Sequence, residues 1–238
     1  MRRIFIPHEN INGDIIETDQ EAQKHIVKVL RMKEKDKFIA EDGSGIEYVA
    51  EIISFDKKSV RAKIVERKEK IDNGININLY MSMIKPTKFE IVLEKMAEIG
   101  VKKMVPIISK NCGEFQLNEN KKARWNSILN QATRQCAGSF IPLLEDTIKF
   151  QEAIKQAELD STILFPDPSG KMSWLQIKDS INTKDKISIF IGPEGGFTKE
   201  EVEFAKNANA FILNLGERIL RAETAAISVA SIVQFCLK

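Results

Sequence analysis

Residues 187–205 read ISIFIGPEGGFTKEEVEFA, and residues 211–238 read FILNLGERILRAETAAISVASIVQFCLK. In the first, an apolar, β-branched run at 187–191 enters Gly192-Pro193-Glu194-Gly195-Gly196. Thr198, with Glu201 three positions on, then has the spacing of a capping box that starts a helix. In the second, a strand over 211–215 ends at Gly216, and Arg218-Ile219-Leu220-Arg221 leads into a last helix over 222–237. Two glycine-bearing strand-to-helix loops place bare backbone at one edge of a sheet, and open α/β sheets bind their ligands at that edge. Pro193 fixes one dihedral and the paired glycines admit positive φ, so a stiff loop can approach a flat ring closely. A tight turn with a helix cap would give the same string. The second loop adds to the first: it sets apolar Ile219 and Leu220 between two arginines, where nothing in the pattern requires a core. Glu223 and Thr224 then open a helix of small residues, Ala225, Ala226, Ser228, Ala230 and Ser231. Such a face allows close approach of another chain segment or subunit, although a helix packed on its own sheet has the same composition.

Upstream, strands expected over 75–81, 104–108 and 161–165 alternate with helices over 86–99, 118–136, 150–158, 172–181 and 199–208. That rhythm implies an α/β fold, a parallel sheet with helices on both faces. Pro86 sits in the first turn of its helix and Gly100 closes it. The first seventy residues read mainly β: strands at 2–6, 14–17, 37–41, 48–53 and 60–65, with Asp42-Gly43-Ser44-Gly45 as a hairpin signal. Asp19 caps a helical segment whose Ala22, Ile26, Val29 and Leu30 fall on one face. Together these suit a small barrel with one helix, and the charged segment 66–74 is the expected boundary to the α/β part.

The chain has 238 residues, is 43% hydrophobic and carries a net charge of +2, so it can build a sizeable core and shows no global nucleic-acid footprint. Local balance differs. Lys24, Lys28, Arg31, Lys33, Lys35 and Lys37 outnumber Glu34 and Asp36. Lys102, Lys103, Lys110, Lys121, Lys122, Arg124 and Arg134 outnumber Glu114 and Glu119. Each run is a phosphate-facing patch or a solvated helix face. No apolar run reaches the ~18 residues of a membrane helix, and no signal peptide opens the chain. Cys112, Cys136 and Cys236 are few, odd in number and widely spaced, which favours a reducing, cytoplasmic setting; Cys236 reads as a small core residue. With His8 and His25 as the only histidines, a Ser-His-Asp triad or a multi-histidine metal site on the α/β part is excluded, and no metal is expected. Neither GxGxxG nor GxxxxGK[ST] occurs, which removes the nicotinamide and Walker A fingerprints.

The residues IGPEGGFTKEE followed by LGERILRAETA resemble the two C-terminal motifs of the SPOUT methyltransferases. Among these the chain is most similar to the RsmE group, which methylates N3 of a uridine in small-subunit (16S) ribosomal RNA. Met83-Ile84-Lys85 through Lys88-Phe89-Glu90, and Glu94 to Val101, resemble a lysine-bearing segment of that group. Lys24 to Arg31, with Asp42-Gly43-Ser44-Gly45, resemble its N-terminal PUA-like barrel. The likeness covers nearly the whole chain. It implies a PUA-like RNA-binding barrel over 1–70 and a SPOUT domain over 74–238 whose last segment is threaded into a trefoil knot. It also implies S-adenosylmethionine as cofactor and a homodimer that completes the active site. On this resemblance the cofactor is held by Leu164, Phe165, Pro166, Ile191, Gly192, Glu194, Gly195, Gly196, Leu215, Gly216, Ile219, Leu220, Thr224 and Ala225. RNA is held by Arg2, Arg3, His25, Lys28, Arg31, Lys85 and Lys88, the partner being 16S ribosomal RNA or the small ribosomal subunit. Two positions depart from the group. Asn111 stands where an arginine is frequent, and Gln135-Cys136-Ala137-Gly138 replaces a Gln-Ser-x-Arg pattern; Arg134, four residues before Gly138, is the candidate substitute.

The chemistry so implied has fixed demands. N3 of uracil carries a proton and lies on the pairing edge, so the base must be unpaired or extruded, deprotonated and stabilised as an anion. Arg221 is the first candidate to stabilise it and Arg134 the second; Glu194, Glu223 or solvent takes the proton. Other readings stay open on the sequence: a SPOUT enzyme acting on another RNA position, an inactive RNA-binding homologue, or a nucleotide-binding α/β enzyme unrelated to RNA.

Overall fold

A computed structural model describes residues 1–70, 74–113, 117–136, 138–181 and 186–237. Residues 71–73 of the expected connector, Glu114 and Ala137 lie outside the described residues. The chain forms two compact units, one of Met1–Asn73 with Thr133–Ile141, the other of Gly74–Ala132 with Pro142–Lys238.

In the first unit the strands are β1 (Arg2–Phe5), β2 (Ile11–Asn12), β3 (Ile15–Glu17), β4 (Lys37–Glu41), β5 (Ile46–Phe55) and β6 (Val60–Glu69), with a short helix α1 (Gln20–Lys24) after β3. They make one sheet in the order β1-β4-β5-β6-β3-β2. Its core is Ile4, Ile6, Ile16, Ile26, Phe38, Ile52 and Val60. β6 runs on through the charged residues expected to be connector, because Glu69 and Lys68 pair with Ile46 and Glu47 of the ten-residue β5. The expected helical face also needs correction. After α1 the backbone widens into a π-helix, His25–Val29, in which Leu30 N–H donates to His25 O at 2.9 Å. The wider turn rotates Val29 into solvent, 66% exposed, while Ala22 and Ile26 stay buried.

Segment Thr133–Ile141 joins this unit through the turn between β4 and β5. Ile141 N–H donates to Gly43 O at 3.1 Å, and Ser44 bridges Phe140. Gly43 and Gly45 have φ of +81° and +91°, and a Cβ on them would meet Ile141 at 2.3 Å and Phe140 at 2.2 Å. The two glycines thus make the turn and also the space that the incoming side chains fill.

Beside it lies a charged network. Buried Glu41 and Glu47 face Arg3 and Lys70: Lys70 Nζ is 2.7 Å from Glu47 and 3.0 Å from Glu41, and Arg3 Nη1 meets both. Hydrogen bonds from Lys70 and Arg3 bring the Glu47 pKa from 4.5 to about 2. A carboxylate with a depressed folded pKa stabilises the fold fully above its unfolded value and loses that contribution as pH falls through the folded one. Glu47→Gln should therefore lower the melting temperature at neutral pH. The gap to the unaltered protein should close between pH 4.5 and about 2, and a gap that stays constant over that range would rule the linkage out.

The second unit contains β7 (Ile77–Ser82), α2 (Pro86–Ile99), β8 (Lys103–Ile108), α3 (Glu119–Gln135, whose last turn belongs to the first unit), β9 (Leu143–Leu144), β10 (Ile148–Lys149), α4 (Phe150–Asp160), β11 (Ser161–Pro166), α5 (Trp174–Ile177), β12 (Lys186–Ile191), α6 (Lys199–Asn207), β13 (Phe211–Leu213) and α7 (Ala222–Cys236). The sheet is parallel throughout, ordered β10-β8-β7-β12-β11-β13, with β9 also on β8. Tyr80, Phe165, Phe190 and Ile212 pack with Phe150, Ile154, Val202 and Ala205 of α4 and α6. α2 and α7 pack together, and α7 lies on β7 and β12. Because alternate strand residues point to opposite faces, the sheet is covered on both sides, as its near-continuous apolar strands require.

Local signals place most boundaries. Pro86 is at N1 of α2, and Gly100 ends it in the left-handed conformation, φ 89°. Three expectations fail. The helix over 172–181 shrinks to α5 and a 3-10 turn, because Met172 is extended against Leu213 and the capping residue is Ser173. Cys236 is exposed rather than in the core. α3 ends at Gln135, so the shared face that Arg134 and Gly138, four residues apart, would have on a helix reaching Gly138 is not formed.

Candidate active site

Parallel strands deliver the loops after β11, β12 and β13 to one edge of the sheet. There they surround a cleft of about 430 Å³, within the range of roughly 300–1,000 Å³ usual for small-molecule sites. The lining is 166–168, 191–194, 196–197 and 214–222, with Ala225 from α7 and Lys88 from α2.

The loop after β12 is braced from three sides. Phe197 tucks beneath it, its ring 4.5 Å from that of Phe165, and a Cβ on Gly192 would lie 3.1 Å from the Phe197 ring. Thr198 and Glu201 close the capping box at the start of α6: Glu201 Oε2 accepts from Thr198 N–H at 2.8 Å, and Thr198 Oγ1 from Glu201 N–H at 3.3 Å. Glu201 Oε1 also accepts from Lys110 N–H at 2.8 Å, and Asn111 Nδ2 donates to the carbonyls of Gly195 and Gly196 at 3.3 and 3.1 Å. Asn111 thus ties the chain after β8 to the glycine loop. Positive φ occurs at Gly196, +69°, and not at Gly195, whose Cβ would face Asn111 rather than the cleft. Of the two glycines that the sequence marks as able to take positive φ, Gly196 does so.

The loop after β11 is laid across β13. Asp167 N–H donates to Leu213 O at 2.9 Å and Asn214 N–H to Met172 O at 2.8 Å, while Gly170 lies directly on the backbone of 212–214. The strand expected to reach 215 stops at Leu213 because Asn214 turns the chain: its Oδ1 accepts from Gly216 N–H at 2.8 Å and its Nδ2 donates to Gly170 O at 3.3 Å. Beyond it Ile219 is 83% exposed at the rim, between the exposed Arg218 and Arg221.

Among the charged lining residues, Lys88 stands between two carboxylates. Lys88 Nζ stands 3.8 Å from Glu194 Oε1 and 3.7 Å from Glu223 Oε1. Glu223 Oε2 is buried without a hydrogen-bond partner.

Of the residues named from the sequence, Pro166, Ile191, Gly192, Glu194, Gly196, Leu215, Gly216, Ile219, Leu220, Arg221 and Ala225 line the cleft. Leu164 and Phe165 are fully buried in β11 behind it; Gly195 and Thr224 do not line it, and Glu223 does not line it either but reaches Lys88, which does. Lys88, expected at RNA, is inside, and Lys85 N–H lies 3.4 Å from Glu194. Arg134 belongs to the first unit, its guanidinium 4.2 Å over the Phe5 ring. In that unit His25, Lys28 and Arg31 are exposed around the π-helix, and Arg31 is held at φ 51°. Arg2 bonds Leu30 O, and Arg3 is committed to Glu41 and Glu47. The stretches 192–196 and 215–220, expected to embrace the cofactor, bring Pro193, Glu217 and Arg218 to the lining as well, while sequence reasoning missed Asp167, Pro168, Phe197, Asn214 and Ala222. Their signal was adjacency to the motifs already marked.

Residues 72–234 match the model of an RNA methyltransferase domain, and 18–65 match that of an RNA methyltransferase PUA domain. Ribosomal RNA small subunit methyltransferase E of Rickettsia conorii is 30% identical, over 98% of this chain and 94% of its own. The protein of that name from Bacillus subtilis is 27% identical, over 90% and 88%. The crystal structure of ribosomal RNA small subunit methyltransferase E from Neisseria gonorrhoeae, bound to S-adenosyl methionine, superposes with a TM-score of 0.79 at 27% identity, over 99% of this chain and 98% of that one. Among the described residues no helix is long and apolar enough to cross a membrane. A parallel sheet with a loop-walled cleft at its carboxyl edge and these whole-length likenesses converge: the chain belongs to the RNA methyltransferase family, with a PUA domain preceding the methyltransferase domain.

Proposed function

We propose that this chain is an S-adenosylmethionine-dependent methyltransferase acting on N3 of a uridine in small-subunit (16S) ribosomal RNA, as a cytoplasmic homodimer. The observation that carries the reading is the cleft itself, walled by the backbone of three loops and lined by Lys88 and Arg221, with Glu223 3.7 Å behind Lys88. The residues fit the cofactor. An apolar floor of Ile191, Leu220 and Ala225 suits the faces of adenine, and the exposed backbone around Gly192 and 214–216 suits its polar edge. The way the loop 167–172 lies over 212–214, with α7 returning to β7 and β12, supports a knotted path for the last segment. The cofactor supplies a methyl group on a sulfonium. This chain's part is to admit an extruded uridine, to stabilise its anion through Arg221, and to take the N3 proton on Glu223.

Mass mapping of small-subunit ribosomal RNA from a strain lacking the gene tests the reading. One uridine should lose its N3 methyl group and regain it on complementation; an unchanged methylation map sinks the assignment. Light scattering should give twice the 27.0 kDa chain mass, and an active monomer would rule out a shared site.

RNA phosphates are gripped by the exposed group His25, Lys28 and Arg31. Arg31→Ala should weaken RNA binding and reduce its salt slope by about one unit, with cofactor affinity unaltered. RNA binding unchanged at every salt concentration would exclude this surface.

A further inference from the structure

Lys88, expected at RNA, brings a cation into the cleft lining from outside the three loops. It comes from the first turns of α2, with its side chain 28% exposed, and it is shared by two carboxylates, Glu194 from the loop after β12 and Glu223 from α7. At 3.8 and 3.7 Å neither contact is a closed charge-assisted hydrogen bond. Glu194 has a second tie, the 3.4 Å contact with Lys85 N–H. Glu223 has none: its side chain is 14% exposed, and Oε2 meets no donor. A buried carboxylate oxygen without a donor is costly unless a nearby cation offsets it, and among the described residues the cation within 4 Å of Glu223 is Lys88. One carboxylate in excess of one ammonium gives this cluster of three residues a net negative charge, and uptake of one proton neutralises it.

We propose that Lys88 is a positioning residue for methyl transfer, holding the Glu223 carboxylate with Oε1 on the cleft side, where that oxygen receives the proton of uracil N3. The N3–H bond breaks, its proton passing to Glu223 Oε1 and its electron pair forming the bond to the methyl carbon; the pair of the broken S–CH3 bond stays on sulfur. This role rests on the proposed transfer to uridine and adds to it the group that fixes the proton acceptor. It is separate from Arg221, which faces the developing charge on the base.

The test compares unaltered protein with Lys88→Met, Lys88→Arg, Glu223→Gln and the double variant Lys88→Met/Glu223→Gln. Single-turnover methyl transfer to small ribosomal subunits is measured beside calorimetric titration with S-adenosylmethionine. Lys88→Met should slow transfer at saturating cofactor by ~10²-fold or more with cofactor affinity little changed, and Lys88→Arg should recover most of the rate. The double variant should be no slower than Glu223→Gln alone, because residues acting as one unit are not additive. Losses that multiply in the double variant overturn the inference. So does a Lys88→Met protein that loses cofactor affinity but transfers normally at saturation, since Lys88 is then a cofactor contact. Should Lys88→Met fail to fold, the rate of Lys88→Arg decides: a rate as low as that of Glu223→Gln, with normal cofactor binding, overturns the inference. Absence of transfer by the unaltered protein overturns this inference together with the functional reading, whereas transfer with multiplying losses removes this inference alone.

Discussion

Arg221→Ala should leave a folded protein that binds cofactor and RNA yet transfers the methyl group ~10²–10³-fold more slowly. The fold has little to lose. Arg221 is the N-cap residue of α7, its side chain makes no capping bond, and the link that starts the helix is its carbonyl, which accepts from Ala225 N–H at 2.8 Å and survives the change. What is lost is an exposed guanidinium at the cleft rim, two residues from Glu223. A uracil anion carries its charge on O2, N3 and O4, and a fixed cation beside it is worth most when the pocket is closed to water. Rapid-quench single turnovers, with cofactor and RNA affinities measured separately, distinguish chemistry from binding. A near-normal rate would remove Arg221 from the chemistry.

Gly170→Ala should cost stability and cofactor affinity together. A Cβ there would lie 2.6 Å from Leu213 C and 2.8 Å from both Asn214 N and Ile212 O. All three are backbone atoms and cannot swing aside, so the loop must lift from β13 or the strand must shift, for about 1–3 kcal/mol or more. Asn214 lines the cleft and its side chain bonds Gly170 O, so the same displacement opens the cofactor walls. Gly113→Ala is the control, since nothing lies within 4 Å of its Cβ. Equal melting temperatures for the two variants would show that loop and strand have slack.

What was legible in the sequence was local chemistry. Thr198 with Glu201, Pro86 and Gly100 act within one helical turn of themselves, and each sits where its spacing predicts. The glycine loops were legible for the same reason, and with them the edge of the sheet that carries the cleft. Tertiary contact hid the rest. Met172 is good helix material, but pairing with Leu213 outweighs that preference. The period of Ala22, Ile26, Val29 and Leu30 is helical, yet one π-turn moves Val29 to the surface. Lys88 meets Glu194 and Glu223 across more than a hundred residues of chain, a distance over which no spacing carries information. Asn111 gave no sign in the sequence of its task, in which its short amide reaches two loop carbonyls more than eighty residues away.

The return of Thr133–Ile141 to the first unit makes that unit discontinuous along the chain. A fragment ending at residue 70 would present the recesses over Gly43 and Gly45 without the Ile141 and Phe140 side chains that fill them, and Lys70 without the Ser139 hydroxyl that its amine meets at 2.6 Å. The nascent chain passes through the same incomplete stage. At a synthesis rate of ~5–20 residues per second, seconds separate the emergence of the β4–β5 turn from that of its plug. The N-terminal sheet therefore waits for residues from the middle of the gene before its apolar surface closes, and slow translation just upstream of that stretch would prolong its exposure to chaperones and proteases.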